Sequence, residues 1–409
     1  MINQYLLGHK VEVTDGKSIW YVAELSGFVV EVNLFSKELK CIWKIPDSTE
    51  ACSYRSLFYY AHKLYVIPYY KGAIYVYDLY TAKYEKIDVK QNLELMGCIK
   101  RNQFLYAFGR KAEILKYNLE DSTVTYIDIQ SELEHLKEIS PNWFWTQAFV
   151  LNECIYIPIS NTNIIIVLDQ HDKISVLYLG HEPEKWSLVN IQADNRRFHA
   201  IYCKGEKDDA RTYISEYDLN GRLRLKSIVD EKYSYQIYPF VNAVWIGDKW
   251  ICLPYGRNEI VIRDKEYDEV LFEITNGIDF LNNIIQGLFC CSVWADDYMI
   301  YSINQSAGSL ICIDINDFSV NHSYLELKDN LQCLIRKSYQ DASQFQNVID
   351  EKNSFLNLEL YIDYICNNEN KAAILNAQTS EGTQAKEVID AKSDTIWGRA
   401  RGTRGINVV

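Results

Sequence analysis

The stretch "GAIYVYDLYTAKYEKIDV", residues 72–89, decides the fold of this chain. Apolar and polar residues alternate on both sides of Asp78, which is typical of two half-buried strands joined by a tight turn. An Asp side chain at the end of a strand accepts hydrogen bonds from the backbone of the turn that follows it. The stretch therefore predicts an antiparallel hairpin.

The hairpin belongs to a unit that occurs seven times. The strand before it, "KLYVIPY" at residue 63, aligns with "SIWYVAE" at 18, "QFLYAFG" at 103, "ECIYIPI" at 153, "RFHAIYC" at 197, "KWICLPY" at 249 and "YMIYSIN" at 298. The equivalent central positions are Trp20, Tyr65, Tyr106, Tyr156, His199, Ile251 and Ile300, which gives spacings of 45, 41, 50, 43, 52 and 49 residues. The following strand of each copy ends in Asn33, Asp78, Asn118, Asp169, Asp218, Asp264 or Asp314. With one such residue per copy at a hairpin tip, we interpret them as turn formers rather than metal ligands.

A repeat of 40 to 50 residues with four strand-like pieces resembles the blades of the β-propeller superfamily. The phrase G-x-I-x-V-x-D-L-x-T is similar to quinoprotein and YVTN-type blades, whereas the paired motifs of WD40 and kelch repeats are missing. The resemblance covers residues 8–329 and implies an all-β fold, a seven-bladed β-propeller of four-stranded antiparallel blades. The strand order is complete at Leu327, so the way the ring closes stays open; "QCLIRK" at residue 332 is one candidate for an extra edge strand.

The repeat pattern ends after about residue 330. We expect a helical extension over residues 330–366, in which Leu358, Tyr361, Ile362 and Ile365 share one helical face. Residues 367–409 are polar and are expected to form a flexible tail. The end of the tail, "IWGRARGTRGINVV", contains three Arg and no Asp or Glu. This segment is either a simple tail or a sequence that docks on an acidic surface. The docking candidates are Trp397, Arg399, Arg401 and Arg404.

Composition excludes several classes of function. A net charge of −13 argues against a nucleic-acid partner, which requires clustered Lys and Arg. No apolar run reaches the roughly 20 residues that a membrane span requires. The chain starts without the pattern of a signal peptide, and its 11 Cys include no C-x-x-C pair, so we expect a cytoplasmic protein with reduced thiols. We find no motif for a metal or a cofactor and expect neither.

The candidate binding face follows from the geometry of a propeller. We name the strands of a blade A to D from the axis outwards; the D–A and B–C connections share one face, where ligands usually bind. Exposed Trp and Tyr rings mixed with Arg and Asn suit a peptide, protein or glycan, although large aromatics also pack between blades. The candidates are Tyr54, Arg55, Tyr69, Tyr70, Arg110, Trp143, Trp145, Asn161, Trp186, Tyr235, Tyr238 and Arg257.

A second set of polar residues occupies matching positions on the A strands. These are Ser56, Thr146, Asn190 and Asn242. Small polar side chains there are expected to line a water-filled channel, where they bond to one another, to water or to a ligand.

Two functions fit these observations. The first is a non-enzymatic binding or scaffold protein that uses the aromatic loop face. The alternative is an enzyme acting on a carbohydrate or lactone-like substrate, which would need carboxylates converging on the channel. Glu24 is the best isolated candidate for such a carboxylate. A weaker alternative makes the C-terminal tail a docking or substrate peptide.

Overall fold

The computed structural model describes most of the repeat region and little of the chain after it. The described residues are 6–7, 9, 11–24, 26–48, 53–134, 147–205, 211–228, 240–246, 249–254, 259–263, 268–273, 294–295, 298–305, 308–327, 378–379 and 406–407. They form seven four-stranded antiparallel sheets, arranged as the blades of a ring.

Each blade is built from consecutive strands, and hydrogen-bonded neighbours follow chain order. Blade 1 contains β1 (Glu12–Thr14), β2 (Ser18–Val22), β3 (Phe28–Asn33) and β4 (Glu38–Lys44). Blade 2 contains β5 (Tyr54–Tyr60), β6 (Lys63–Pro68), β7 (Ala73–Asp78) and β8 (Lys83–Asp88). Blade 3 contains β9 (Leu95–Arg101), β10 (Phe104–Gly109), β11 (Glu113–Asn118) and β12 (Val124–Asp128). Blade 4 contains β13 (Phe149–Leu151), β14 (Cys154–Pro158), β15 (Ile164–Leu168) and β16 (Ile174–Tyr178).

The remaining three blades repeat the pattern. Blade 5 contains β17 (Ser187–Ala193), β18 (Arg197–Lys204), β19 (Arg211–Asp218) and β20 (Leu223–Ile228). Blade 6 contains β21 (Phe240–Ile246), β22 (Lys249–Pro254), β23 (Glu259–Arg263) and β24 (Asp268–Glu273). Blade 7 contains β25 (Trp294–Ala295), β26 (Met299–Asn304), β27 (Ser309–Asp314) and β28 (Val320–Tyr324). The predicted seven-bladed propeller is confirmed.

The opening stretch shows why the blades pack as they do. Alternate side chains of β7 point to opposite faces of the blade. Ala73, Tyr75 and Tyr77 pack with apolar side chains of blade 1. Ile74 and Val76 pack with apolar side chains of blade 3. Both faces of a middle strand are therefore buried, whereas the outer strand β8 is largely exposed and carries charged residues.

The Asn or Asp at the end of strand C forms the expected turn in every described copy. The side-chain oxygen accepts the backbone N–H of the residue two positions on at Asn33, Asp78, Asn118, Asp169, Asp218 and Asp314. The seventh, Asp264, lies outside the described residues. These side chains act as turn formers, because they bond to the backbone of their own hairpin.

The ring closes through a strand that the repeat pattern alone did not assign. Directly after blade 7, β29 (Glu326–Leu327) pairs in parallel with β4 of blade 1, with Glu326 opposite Glu38. Ile303 and Leu310 of blade 7 share a hydrophobic core with Tyr21 and Val30 of blade 1. The segment "QCLIRK" lies outside the described residues.

Few other elements are described. A short helix, α1 (Gln130–Glu134), follows blade 3. Near the end of the chain, β30 (Gln378–Thr379) pairs antiparallel with β31 (Ile406–Asn407). The rest of the proposed helical extension and tail lies outside the described residues. Among the helices of the described part, none is long and apolar enough to cross a membrane.

A buried polar network joins blades 3 and 4. The guanidinium of Arg101 is almost fully buried and pairs with the carboxylate of Asp172. Arg101 also donates to the carbonyl oxygens of Leu168 and Asp169 at 3.2 and 2.6 Å. Asp172 accepts from Tyr106 Oη at 2.8 Å as well. The network satisfies a buried cation that would otherwise destabilise the junction.

We expect Asp78→Ala to lower the midpoint of thermal unfolding, because the N–H groups of Tyr80 and Thr81 lose their acceptor. Asp78→Asn should leave the midpoint close to wild type, since Asn33 and Asn118 hold the same turn elsewhere in the ring.

The hydrogen bond from the Thr81 backbone is the main cause that holds the pKa of Asp78 below its usual 3.8. A depressed folded-state pKa adds stability that is present above the unfolded pKa and is lost as the pH falls through the folded one. Below about pH 4 the wild type should therefore lose stability more steeply than Asp78→Asn; equal losses in the Ala and Asn variants at neutral pH would contradict this role.

We expect Asp172→Ala to lower the free energy of unfolding by about 3–5 kcal/mol, because it leaves the Arg101 guanidinium buried without its carboxylate. Denaturant unfolding followed by circular dichroism measures this value. The matched control is Glu113→Ala, which removes the exposed ion pair with Lys90 and should change stability little. Similar losses in the two variants would show that the blade 3–4 network contributes no more than a surface pair.

Candidate functional site

A β-bulge recurs at the start of four A strands. The pairing with strand B shifts register between Tyr54 and Ser56 in blade 2. The same shift separates Leu95 from Gly97 in blade 3, Leu188 from Asn190 in blade 5, and Phe240 from Asn242 in blade 6. A bulge inserts one unpaired residue and locally bends the strand. In blade 2 the inserted residue is Arg55, which lies where β5 begins at the face formed by the D–A and B–C connections. We call this face the loop face.

Arg55 connects blade 2 to blade 1. Its Nε lies 3.0 Å from Oε1 of Glu24, which belongs to the B–C connection of blade 1, and the two side chains are only 18% and 12% exposed. The guanidinium carbon also lies 4.3 Å from the ring centroid of Tyr69. An arginine held between a carboxylate and an aromatic ring is fixed in position by both.

Tyr69 and Tyr70 extend this arrangement towards solvent. Their ring centroids are 4.3 Å apart with an interplanar angle of 69°, so the edge of one ring meets the face of the other. Tyr69 is buried, whereas Tyr70 is 41% exposed. Burial raises the pKa of Tyr69 to about 12, and the nearby Arg55 and Arg110 oppose that shift. The Tyr69 hydroxyl therefore stays protonated at neutral pH.

Arg110, in the B–C connection of blade 3, is exposed and acts electrostatically on Tyr69. The backbone supports this junction: Arg110 N donates to Glu94 O at 3.1 Å, and Glu94 N donates to Tyr69 O at 2.8 Å. Glu24, Arg55, Tyr69, Tyr70 and Arg110 thus form one group across blades 1 to 3, which we call the Arg–Tyr cluster. Four of its five members are among the residues predicted for the loop face, and Glu24 was predicted only as an isolated carboxylate.

Other predicted residues of the loop face lie apart from this cluster or inside the fold. The ring of Trp186 is buried and stacks on Tyr202 at 3.6 Å, and its Nε1 donates to Glu184 at 3.0 Å. The carbonyl of Asn161 accepts the backbone N–H of Trp186 at 3.1 Å, so these two residues belong to the blade 4–5 junction. Tyr54 is also buried, with its ring edge-on to another tyrosine of blade 2. Trp143, Trp145, Tyr235, Tyr238 and Arg257 lie outside the described residues.

The polar residues predicted for the channel connect neighbouring A strands. Ser56 Oγ lies 3.6 Å from Cys98 Sγ on the A strand of the next blade. Asn190 Nδ2 donates to Ala243 O of the next blade at 2.5 Å, and Asn242 Oδ1 accepts the N–H of Ala243 at 2.7 Å. All three side chains are buried, which fits a structural role at the inner rim of the ring. Thr146 lies outside the described residues.

Two side chains that could take part in catalysis, Glu24 and Cys98, are not in a reactive state. The carboxylate of Glu24 is paired with Arg55. Burial raises the pKa of the Cys98 thiol to about 12, so it is not a thiolate at neutral pH. Within the described part of the chain, no group of three or more His, Cys, Asp and Glu side chains is arranged to hold a metal ion.

Solved structures with the same fold are known. The chain is similar to virginiamycin B lyase from Staphylococcus aureus, with a TM-score of 0.52 and 9% identity over 73% of this chain and 92% of that one. It is also similar to a catalytically inactive variant of that lyase with quinupristin, with a TM-score of 0.53 and 10% identity over 75% of this chain and 94% of that one. The N-terminal domain of Nup159 gives a TM-score of 0.47 at 13% identity over 79% of this chain and 92% of that one.

Comparison with protein-family models gives no match, and neither does comparison with curated proteins. At such low identities the structural likeness establishes the fold and not the chemistry. Seven consecutive four-stranded blades in a ring show that the chain has the seven-bladed β-propeller fold, which the likeness to the lyase structures supports.

Proposed function

We propose that this protein is a non-enzymatic binding protein whose loop face grips a peptide, protein or glycan. The observation that carries this proposal is Tyr70, a ring that is exposed on one side and supported on the other by buried Tyr69. A ring that is already held in place loses little conformational freedom when a ligand covers it. Tyr side chains in such positions are frequent anchors of binding sites.

The polar part of the cluster suits the same role. Arg110 is exposed beside the tyrosines, and its guanidinium offers several hydrogen-bond donors in a fixed geometry. Carbonyl, carboxylate and hydroxyl oxygens of a peptide or glycan are acceptors for such donors. Arg55 contributes indirectly. It is held by Glu24 and stacks on Tyr69, so it positions the ring that supports Tyr70.

The enzyme alternative receives less support from this geometry. Hydrolysis of a glycoside usually needs two carboxylates in reach of one bond. The Arg–Tyr cluster contains one carboxylate, Glu24, and that carboxylate forms an ion pair with Arg55. An enzyme acting on a carbohydrate or lactone-like substrate stays a prediction, as does a docking role for Trp397, Arg399, Arg401 and Arg404 in the tail.

We expect Tyr70→Ala to reduce ligand capture by about tenfold or more, because an anchoring aromatic typically contributes ~2 kcal/mol to binding. The immobilised full-length protein is incubated with extract of the producing cells, and bound peptides, proteins and glycans are quantified by mass spectrometry. The thermal midpoint of Tyr70→Ala should equal that of the wild type, since the ring is partly exposed.

Two further variants make the experiment selective. Tyr324→Ala removes a comparably exposed ring from the outer strand β28 and should leave capture unchanged. Trp186→Ala removes a buried ring and should instead lower the free energy of unfolding by about 3–5 kcal/mol. Equal capture by the wild type and Tyr70→Ala would contradict the proposal, and so would recovery of the captured molecule as a converted product.

A further inference from the structure

Two buried hydroxyl groups of blade 7 make no hydrogen bond to the protein. Ser302 on β26 is 1% exposed, and Ser309 at the start of β27 is 0% exposed. The Oγ atom of neither side chain has a donor or an acceptor of the protein within hydrogen-bond distance. Native proteins bond the large majority of buried hydroxyls to protein or to ordered water, because an unbonded one costs stability. These two hydroxyls therefore point to a partner outside the chain.

Both hydroxyls face the interface between blades 6 and 7. The nearby side chains of Ile300 and Ile311 belong to the hydrophobic core that blade 7 shares with blade 6. Ser302 pairs with Ile311 across the two strands, and Ser309 lies two positions before Ile311 on β27. Directly paired residues, and residues two apart on one strand, point to the same face of a sheet. Ser302 and Ser309 thus lie on the face of blade 7 that packs on blade 6.

The opposite wall of this interface is aliphatic in the part that the structure describes. The blade 6 side chains of the shared core are Val244, Ile246, Ile251, Leu253, Ile260 and Ile262. None of these side chains can donate or accept a hydrogen bond. The backbone groups of the neighbouring strands are paired within their own sheets. A partner for the hydroxyls must therefore be a small molecule held between the two blades.

The two hydroxyls distinguish blade 7 from the blade that shows the repeat most clearly. Counted from the strand pairing with the turn-forming aspartate, Ser302 corresponds to Val66 of blade 2, and Ser309 corresponds to Ala73. Both side chains of blade 2 are buried and apolar, so they need no partner. A buried polar site at this place is consequently not a general property of the blades.

The spacing of the two serines fits one bridging water molecule. They are diagonal neighbours on adjacent antiparallel strands, which places their Cβ atoms somewhat less than ~7–8 Å apart. A water that bonds two hydroxyls joins oxygen atoms that are up to about 5.5 Å apart. Each Oγ lies beyond its Cβ, so two hydroxyls that turn towards each other come within this range. Asn304, which is buried and directly opposite Ser309, adds a polar side chain beside them.

We propose that an ordered water molecule bridges Ser302 and Ser309 and forms part of the interface between blades 6 and 7. Each hydroxyl donates to this water or accepts from it, so both are satisfied without a polar side chain from blade 6. Buried waters typically make about two to four such bonds. The site takes water rather than a larger ligand, because the two blades enclose both serines completely.

Denaturant unfolding of the full-length chain tests this site through Ser302→Ala, Ser309→Ala and the double variant. Each single variant should lower the equilibrium constant of folding about fivefold, because the water loses one partner and the remaining hydroxyl is bonded less well. The double variant should lose less than the product of the two single effects, since no hydroxyl is left to satisfy. The matched control Ser175→Ala removes an exposed hydroxyl from the outer strand β16 and should change stability little.

The sign of the effect separates a bridged pair from two unbonded hydroxyls. If the hydroxyls had no partner, each substitution would remove a buried polar group at no loss, and the equilibrium constant of folding would rise. An unchanged or raised constant in either single variant would overturn the proposal, and so would independent effects of the two substitutions.

A high-resolution crystal structure of the unmodified full-length protein gives an independent measurement. One ordered water is expected within hydrogen-bond distance of Ser302 Oγ and of Ser309 Oγ. Electron density in which both hydroxyls bond directly to protein, with no water between them, would contradict the assignment.

Discussion

The contact between blade 7 and blade 1 is the constraint on which the rest of the structure depends. Every blade has two apolar faces, so a chain of blades buries all of them only when its ends meet. Ile303 and Leu310 from blade 7 pack with Tyr21 and Val30 from blade 1, and β29 adds a strand to the outer edge of blade 1. At the same junction Gln305 Nε2 donates to the carbonyl of His9 at 2.8 Å. Opening this one contact would expose apolar surface on both blades at once.

A closed ring divides the surface into two faces with different properties. The turn face, formed by the A–B and C–D turns, is made of short hairpins. Each C–D turn whose Asn or Asp is described is fixed by that side chain, which bonds to the backbone of its own turn. The loop face is made of the connections between blades and between the middle strands. There the Arg–Tyr cluster combines residues from three consecutive blades, between Glu24 and Arg110, on one rigid scaffold.

The sequence was sufficient to predict the architecture because the signals are local. Alternation of apolar residues and a turn-forming side chain at each hairpin define a blade without knowledge of its neighbours. The candidate site was less predictable, because it depends on which blade faces each side chain. Trp186 and Tyr54 were predicted as exposed rings of the loop face, but both are buried, Trp186 against Tyr202 and Tyr54 against Tyr75. The ion pair of Arg55 with Glu24 joins positions 31 residues apart, so no local pattern predicts it. The bulge at Arg55 has one sequence signal, the recurrence of a small polar residue directly after it at Ser56, Asn190 and Asn242.

The most direct test of the account is hydroxyl-radical footprinting of the protein alone and saturated with the ligand that it captures. If the loop face binds the ligand, oxidation of Tyr70 falls when the ligand is bound, while Tyr84 on the outer strand of the same blade reacts as before. Partial exposure of both rings in the unbound protein makes the comparison a fair one. If Tyr70 reacts equally in both states while a different surface becomes protected, the loop face of blades 1 to 3 is not the binding site.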